Sequence, residues 1–280
     1  MNKMPHIQLD SGINATAAIL PGDPARVDAI AAYLTDVKQE QFCREYKSVT
    51  GTYKGVRILA ISTGMGGPST AICVEELADL GVTDMIRIGS CGALQSDLSL
   101  GELVLCDRAV CDDGTSQTYT GYLRYADQMF SPGADTRSRD TVHLQNGMVC
   151  SPKKEFDPDA SIAYAYADPG LLRACKKAAA ALDFPHCIGA TRCHDALYLH
   201  QKPAIDEFYS KRGVFASDME TAALFAVGAL RGVRTASILN VVVEWKKDLK
   251  TGIASYKDGA KAAAAGEEHE ILTALEALVQ

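Results

Sequence analysis

Short apolar runs alternate with segments of helical spacing along most of the 280-residue chain. The first run, residues 17–20, stops at Pro21-Gly22-Asp23-Pro24, and residues 26–34 then carry apolar side chains at helical intervals. This unit of strand, loop and helix recurs further along the chain. Strands that alternate with helices predict an α/β protein, here a single domain with a central mixed β-sheet flanked by helices.

The other predicted elements follow the same reasoning. Runs of apolar and β-branched residues predict strands at 47–53, 56–62, 84–89, 101–110, 187–191 and 234–243. Helical spacing predicts helices at 26–34, 70–80, 169–182, 219–230 and from about 257 onward. Lys54-Gly55 suits a hairpin turn between the first two of these strands. Residues 112–159 are polar and predict a long surface excursion within one domain that spans residues 1–280.

Composition and charge narrow the function. The chain is 47% hydrophobic and 22% charged, which is typical of a globular protein, and its net charge of −7 makes a nucleic-acid partner unfavourable. No export signal and no run of about 18 apolar residues is visible, so no membrane partner is expected. The nine cysteines are scattered through apolar runs without metal-site spacing, which predicts buried, reduced thiols and a cytoplasmic location.

Two arginines stand where arginine is unusual. Arg87 lies inside the apolar run MIRIG, so its guanidinium requires a carboxylate or an anion as partner. A structural ion pair would meet that need, as would a bound phosphate. Arg26 opens a helix just after Gly22, where free backbone N–H groups already favour an anion, although a surface charge is equally compatible with the pattern.

A glycine-rich loop at residues 63–69 follows one predicted strand. Its glycine spacing is a weak signal for dinucleotide binding, because the third spaced glycine is missing. In full, residues 62–77, STGMGGPSTAICVEEL, resemble the signature of the nucleoside phosphorylase family, which joins uridine phosphorylases with trimeric and hexameric purine nucleoside phosphorylases. Residues 21–26, 44–46, 87–92 and 218–220 extend the resemblance in the same order.

The resemblance implies phosphorolysis, in which inorganic phosphate cleaves a nucleoside to free base and ribose 1-phosphate. It assigns catalysis to Arg87 and Glu220. It assigns phosphate binding to Gly22, Arg26, Arg44, Arg87 and Ser90, and ribose binding to His6, Met219 and Glu220. Arginine suits phosphate because its planar fork binds two oxygens. Taken alone, Glu220 would be an exposed first-turn glutamate favoured by the helix dipole.

The resemblance also implies partners. Arg44 and His6 reach the site of a neighbouring subunit, so a homodimer is the minimal unit and a trimer of dimers is the larger alternative. Phosphate is a co-substrate and no cofactor is expected. Glu45 and Ser69 match positions that hold a monovalent cation at the dimer interface in some relatives.

The base site separates the branches of the family. The resemblance places Cys91, Gly92, Leu197, Gln201 and Glu244 there. Gln201 matches a uracil-binding glutamine, which favours the uridine branch, but Pro203 replaces an arginine and Leu197 replaces a stacking ring. The purine branch uses a late-strand aspartate, and here Glu244 stands nearby. The open alternatives are therefore a purine nucleoside phosphorylase, a hydrolytic nucleosidase and a non-catalytic nucleoside-binding protein on the same fold.

Overall fold

The computed structural model describes residues 3–121, 142–143, 149–150, 162–257 and 261–280. Its strands are β1 (Ala17–Pro21), β2 (Thr35–Cys43), β3 (Tyr46–Tyr53), β4 (Val56–Ile61), β5 (Asp84–Ala93), β6 (Leu103–Asp112), β7 (Val142–His143), β8 (Val149–Cys150), β9 (Tyr164–Tyr166), β10 (His186–His194), β11 (Val214–Asp218) and β12 (Arg234–Val243). Its helices are α1 (Pro24–Ala31), α2 (Gly67–Asp79), α3 (which includes residues 114–121), α4 (Pro169–Ala181), α5 (Lys202–Ser210), α6 (Thr221–Arg231), α7 (Leu249–Lys257) and α8 (Lys261–Leu278), with a short 3-10 helix at Ser11–Ile13.

The strands join one mixed sheet in the order β2-β3-β4-β1-β5-β11-β10-β6-β9-β8-β7. Strand β12 stands off this path and pairs in parallel with β5 and antiparallel with β6. Near its carboxyl end β5 also pairs antiparallel with β11. The strands β5, β12, β6, β10 and β11 therefore form a closed ring of paired strands, which brings the ends of β5 and β11 together.

Helices cover both faces of the sheet. On one face α2 packs on α6, and Leu20, Met85 and Phe225 belong to the core beneath them. On the other face α1, α4 and α8 cover a second core that includes Ile86 and Ile238. Helix α6 is buried almost all round, as its uniformly apolar sequence leads one to expect. The expected fold, an α/β domain with a central mixed sheet, is confirmed.

Most predicted strands and helices are present within a few residues of their predicted bounds. The Lys54-Gly55 hairpin joins β3 to β4, and both turn residues have positive φ, which is the conformation that a two-residue hairpin turn requires. Strand β5 runs four residues beyond its predicted end at Gly89, because its last residues pair with β11. Helix α6 begins at Thr221, two residues later than predicted.

Several elements were not predicted, among them β2, β9, α5, β11 and α7. Strand β2 is an edge strand of mostly exposed polar residues, so it lacks the apolar alternation that marks a strand. Helix α5 follows Gln201, where no helix was predicted. Strand β11 is only five residues long, and α7 precedes the predicted C-terminal helix. Most of the predicted surface excursion, residues 112–159, lies outside the described residues. In its described part, Asp113, Ser116 and Thr120 are buried.

In the part of the chain that the structure describes, no helix combines the length and the apolar character needed to cross a membrane.

Gly101 lets the loop before β6 approach the start of α8. Its φ is +83°, and a Cβ built there would lie 2.3 Å from the Ala262 carbonyl oxygen. Gly55 has nearly the same φ, +85°, and nothing within 4 Å of the corresponding position. Gly101 therefore meets a steric constraint that Gly55 does not.

We expect Gly101→Ala to lower the free energy of unfolding by about 3 kcal/mol, since it adds a backbone clash to the strain of positive φ. Gly55→Ala, the matched control, carries the strain alone and should lower it by about 1 kcal/mol. Urea denaturation of both variants and the wild type measures the difference. Equal losses would show that the contact between this loop and α8 relaxes without cost.

Candidate active site

The carboxyl ends of β1, β5 and β11 meet beside the glycine-rich loop, residues 63–69, whose last three residues form the start of α2. The amide of Thr63 donates to the carbonyl of Pro21 at 2.9 Å, and the amide of Gly64 donates to the carbonyl of Gly22 at 3.0 Å. The loop therefore lies along the turn between β1 and α1. Ligands of α/β proteins bind at such carboxyl ends of strands.

Arg87 occupies the centre of this region and is 4% exposed. Its Nη2 donates to Glu220 Oε2 at 2.5 Å, and its Nε donates to Asp218 Oδ2 at 3.3 Å. Burial alone would lower the pKa of Arg87, but these two carboxylates raise it above the ordinary value. The expected carboxylate partners of this buried arginine are thus present, and the guanidinium is held in its charged form.

One donor of Arg87 is left over. Its Nη1 is buried and has no hydrogen-bond partner among the described residues. It lies on the side of Gly22, since a Cβ built at Gly22 would be 4.0 Å from it. An unsatisfied charged donor is costly to bury. The combination of a free N–H and a glycine turn is what an anionic ligand would complete.

Asp218 and Glu220 have different roles in this network. Asp218 also accepts hydrogen bonds from the hydroxyl and the amide of Thr221, at 2.6 and 3.0 Å, and from the Cys193 thiol at 2.8 Å. Burial raises the pKa of Asp218, but Arg87 and these hydrogen bonds outweigh it and hold the pKa below the ordinary value. Asp218 is therefore an ionised anchor for Arg87 and for the start of α6.

Glu220 is buried rather than an exposed first-turn residue. Its second carboxylate oxygen accepts a hydrogen bond from the Gly66 amide at 2.6 Å, so it links Arg87 to the glycine-rich loop. Burial and the nearby Asp218 charge raise the pKa of Glu220, whereas Arg87 and the Gly66 amide oppose that shift. A carboxylate in this setting can accept hydrogen bonds from a polar ligand and can stabilise developing positive charge.

Arg26 is buried at the start of α1 and is held by two carboxylates of α8. Its Nε lies 3.2 Å from Glu267 Oε2, and its Nη1 lies 3.0 Å from Glu270 Oε1. Glu270 is fully buried, and its other oxygen accepts a hydrogen bond from the Gly89 amide at 3.1 Å. Arg26 is thus a buried, ion-paired residue beside the strand that carries Arg87.

A model of the family described as the phosphorylase superfamily matches residues 16–268. The chain belongs to this superfamily. It is 46% identical to a uridine phosphorylase of Thermococcus kodakarensis, but only over 114 residues, which are 41% of each chain. It is 31% identical to a guanosine phosphorylase of Halorubrum lacusprofundi over 86% of this chain and 83% of that one.

The solved structures agree with this membership. The crystal structure of uridine phosphorylase from Vibrio fischeri ES114 superposes with a TM-score of 0.78 at 33% identity, covering 100% of this chain and 98% of that chain. The family resemblance predicted from the glycine-rich loop is confirmed. The relatives are nucleoside phosphorylases, which are pentosyltransferases, and the expected enzyme class is confirmed at that level.

Several predicted site residues of this phosphorylase superfamily member lie in the same region. Ser90, Cys91 and Gly92 follow Arg87 along β5, with Ser90 and Gly92 half-buried and Cys91 buried. Burial raises the pKa of the Cys91 thiol well above its ordinary value, so the thiol stays neutral. Met219 is half-buried between Asp218 and Glu220. Ser90 thus lies three residues from Arg87 along β5, and Met219 lies between Asp218 and Glu220, and their roles with phosphate and ribose stay predictions.

Arg44 and His6 do not contact the Arg87 network within the chain. Arg44 is exposed in the turn between β2 and β3, with a φ of +57°. His6 contacts Glu76 of α2 through its Nδ1 at 2.6 Å. Glu45, next to Arg44, packs against the glycine-rich loop, because a Cβ built at Gly64 would lie 2.8 Å from its Cγ.

Ser69 lies in the first turn of α2 and donates its hydroxyl to the carbonyl of Gly66, in the glycine-rich loop, at 3.3 Å. Glu45 and Ser69 thus both contact the loop, and their role with a monovalent cation stays a prediction.

The predicted base-site residues are less closely connected. Gln201 is exposed at the start of α5 and makes no side-chain hydrogen bond to that helix. Leu197 is half-buried, as is Glu244 just after β12. Among the described hydrogen bonds, none joins Gln201 or Glu244 to Arg87 or Glu220. Their assignment to a base stays a prediction.

Sequence reasoning missed Glu270. It stands in an alanine-rich helix with other acidic residues around it, and nothing in that pattern distinguishes it from a solvated charge. Its contact with Gly89 spans 181 residues of the chain. Only the packing of α8 on the sheet makes the contact visible.

Proposed function

We propose that the chain catalyses the reversible phosphorolysis of a nucleoside, with uridine favoured, to free base and ribose 1-phosphate. The carrying observation is the buried Arg87, whose Nη1 has no protein partner among the described residues and lies on the side of Gly22, beside the buried carboxylate of Glu220. Phosphate would be the second substrate.

The phosphate would occupy the turn at Gly22. Arg87 Nη1 would donate to it, and the Ser90 hydroxyl and the Arg26 guanidinium would supply further donors from β5 and α1. Helix α1 begins directly after this turn, so its dipole also favours the anion. In this proposal the attacking oxygen would lie near Arg87, next to the Glu220 carboxylate that would bind the sugar.

In the reaction, a phosphate oxygen bonds to C1′ of the ribose while the bond between C1′ and the base nitrogen breaks. The electron pair of that bond leaves with the base. The base takes up one proton to become the free base, and this proton balances the one that hydrogen phosphate loses as it becomes the phosphate ester. Glu220 would accept hydrogen bonds from the ribose hydroxyls and stabilise the positive charge that develops on the ring. Met219 would pack against the sugar.

Uridine is favoured because Gln201 is retained from the uracil-binding segment. A purine nucleoside is the second candidate. The 31% identity to a guanosine phosphorylase supports it, as do Pro203 and Leu197, which depart from the uridine pattern, and Glu244 near the purine position. Asp218 is a poor candidate for a purine acid, because Arg87 and Thr221 already hold it ionised.

Two further alternatives are disfavoured. In a hydrolytic nucleosidase water replaces phosphate as the nucleophile, and binding water requires no cluster of arginines. The presence of Arg26, Arg44 and Arg87 therefore argues against a nucleosidase. A protein that only binds nucleosides needs no anion beside the sugar, and the buried Arg87, with its Nη1 next to Glu220 unpaired among the described residues, favours a second, anionic substrate there.

The functional unit would be a homodimer, with a trimer of dimers as the larger assembly, in the cytoplasm. Two large apolar side chains beside the site are exposed, Phe42 at 64% and Met65 at 86%. Phe42 lies near the end of β2, and Met65 lies in the glycine-rich loop, against which Glu45 of the β2–β3 turn packs. A second copy of the chain would cover this apolar surface and bring its own Arg44 and His6 to the site. We propose no cofactor, and a monovalent cation near Glu45 and Ser69.

We expect uridine cleavage to require phosphate and to yield ribose 1-phosphate, because the donors around Gly22 are suited to one dianion. Product analysis on uridine, thymidine, inosine and guanosine, with and without phosphate, measures this. Equal turnover without phosphate, with free ribose as product, would identify a hydrolase. Binding without cleavage of any of the four nucleosides would identify a binding protein.

We expect Gln201→Ala to lower kcat/KM for uridine by roughly 5- to 150-fold, since an unpaired polar edge of a buried base costs ~1–3 kcal/mol. The matched variant is Glu244→Gln, which should leave uridine turnover nearly unchanged. Steady-state kinetics on uridine and inosine decide the assignment. An unchanged Gln201→Ala enzyme together with a large loss of inosine cleavage in Glu244→Gln would assign the chain to the purine branch.

We expect Arg44→Ala and Glu220→Ala to complement each other. If each site takes Glu220 from one chain and Arg44 from the other, a mixed dimer has one site with both defects and one native site. Refolding the two inactive variants together should restore activity, up to one site per mixed dimer. Mass spectrometry verifies that mixed dimers form. Mixed dimers that stay inactive would show that Arg44 does not complete a neighbour's site.

A further inference from the structure

Glu270 has no task in the proposed reaction, yet it is the most buried acid near the site. Its residue is 0% exposed, and each carboxylate oxygen faces a different element. Oε2 accepts a hydrogen bond from the Gly89 amide of β5 at 3.1 Å, and Oε1 lies 3.0 Å from Arg26 Nη1 of α1. A carboxylate placed between these two elements fixes their relative positions.

Both contacts lead directly to the candidate phosphate site. Gly89 touches Arg87, because a Cβ built at Gly89 would lie 2.5 Å from Arg87 Nη2. Arg26 belongs to the first turn of the helix that follows Gly22. Glu270 therefore contacts the Arg26 guanidinium directly. It supports the Arg87 guanidinium indirectly, through the Gly89 backbone.

The charges around Glu270 are mixed. Arg26 of α1 and Arg87 of β5 contribute positive charge near Glu270. Glu267, on α8 itself, contributes negative charge, and the Cys91 thiol of β5 is neutral. Burial and the Glu267 charge raise the pKa of Glu270 to about 7, against the opposing effect of Arg26, Arg87 and the Gly89 amide. A dianion beside Arg26 and Arg87 would add negative charge and compete for the same two cations, which disfavours the ionised carboxyl further.

We propose that Glu270 is a positioning residue of the anion site, which holds Arg26 and the Gly89 backbone in place and takes up one proton from solvent when a dianion binds. This inference rests on the phosphate site of the proposed function. Glu270 itself does not contact the anion. It acts through Arg26 and through β5.

The direction of the pH dependence follows from linkage. A group whose pKa is higher in the complex than in the free protein binds a proton on complex formation, so affinity falls as the pH rises above the free value. For one proton the limiting slope is about tenfold in Kd per pH unit. Inorganic phosphate changes its own protonation in this range, whereas sulfate stays a dianion, so sulfate is the suitable probe.

The experiment is isothermal titration of sulfate at pH 6, 7, 8 and 8.5, in pairs of buffers that differ in ionisation enthalpy, so that proton uptake is measured directly. For the wild type, we expect Kd to rise about 10-fold or more from pH 7 to 8.5, with uptake approaching one proton. Glu270→Gln imitates the protonated acid, so its Kd should vary less than about threefold, with little uptake. Glu270→Ala removes the support of Arg26 and should weaken sulfate binding at every pH.

Glu276→Gln is the matched control. Glu276 is on the same helix and accepts hydrogen bonds from Tyr53 and Lys54, away from the anion site. It should show the wild-type pH profile. Circular dichroism and thermal unfolding verify that each variant is folded.

The outcomes separate this inference from the proposed function. Sulfate binding by the wild type with the same pH profile in Glu270→Gln would leave the phosphate site standing and overturn the role of Glu270. A Glu270→Ala variant that binds sulfate with wild-type affinity at every pH would likewise leave the phosphate site standing and overturn the role of Glu270. A wild type that binds neither sulfate nor phosphate would refute the phosphate site, and the role of Glu270 would fall with it.

Discussion

The buried charge of Arg87 is the constraint on which the rest of the site depends. Strand β5 is covered on both faces, so a guanidinium inside it would be several kcal/mol unfavourable without counter-charges. Asp218 and Glu220 supply them from positions 131 and 133 residues later in the chain. The pairing of β11 with β5, which closes the ring of strands, brings Asp218 and Glu220 to the strand that carries Arg87.

The same network separates two carboxylates that lie two residues apart. Asp218 receives hydrogen bonds from a thiol, a hydroxyl and an amide, and its pKa is held low. Glu220 has fewer donors and also faces the Asp218 charge, and its pKa is raised. Pairs of acids whose environments shift them in opposite directions tend to have different tasks. Here one acid anchors the structure, which leaves the other available to a ligand.

The sequence was most informative where a local rule applied. An arginine in an apolar strand required a buried counter-charge, and Asp218 and Glu220 provide it. The glycine-rich loop identified the family. Apolar runs located most strands, and helical spacing of apolar residues located most helices. Strand β2 was missed because an exposed edge strand carries no apolar alternation, and β11 because it is short and paired on both sides by distant strands.

The sequence could not indicate which charged residues of distant elements form ion pairs. Arg26 pairs with Glu267 and Glu270 across more than two hundred residues, and its local pattern suggested only a surface charge or an anion ligand. The base-site residues have a related difficulty. Gln201 and Glu244 were assigned by resemblance. Gln201 stands at the start of the unpredicted α5, and Glu244 follows β12, whose bounds were predicted correctly although nothing local indicates the role of the residue after it.

The charge around Gly22 indicates why one chain alone is a poor anion site. Two guanidinium groups, Arg26 and Arg87, share the region with the acids Asp218, Glu220, Glu267 and Glu270. If all are ionised, the carboxylates exceed the cations by two before any dianion arrives. Binding then requires added positive charge, and the chain has two sources for it. Arg44, exposed beside the loop, can contribute to a second copy, and a carboxyl that titrates near neutrality can accept a proton. In the proposed site, the first source would tie anion binding to assembly and the second would tie it to pH, so a site built around one buried arginine would acquire both dependences from electrostatics alone.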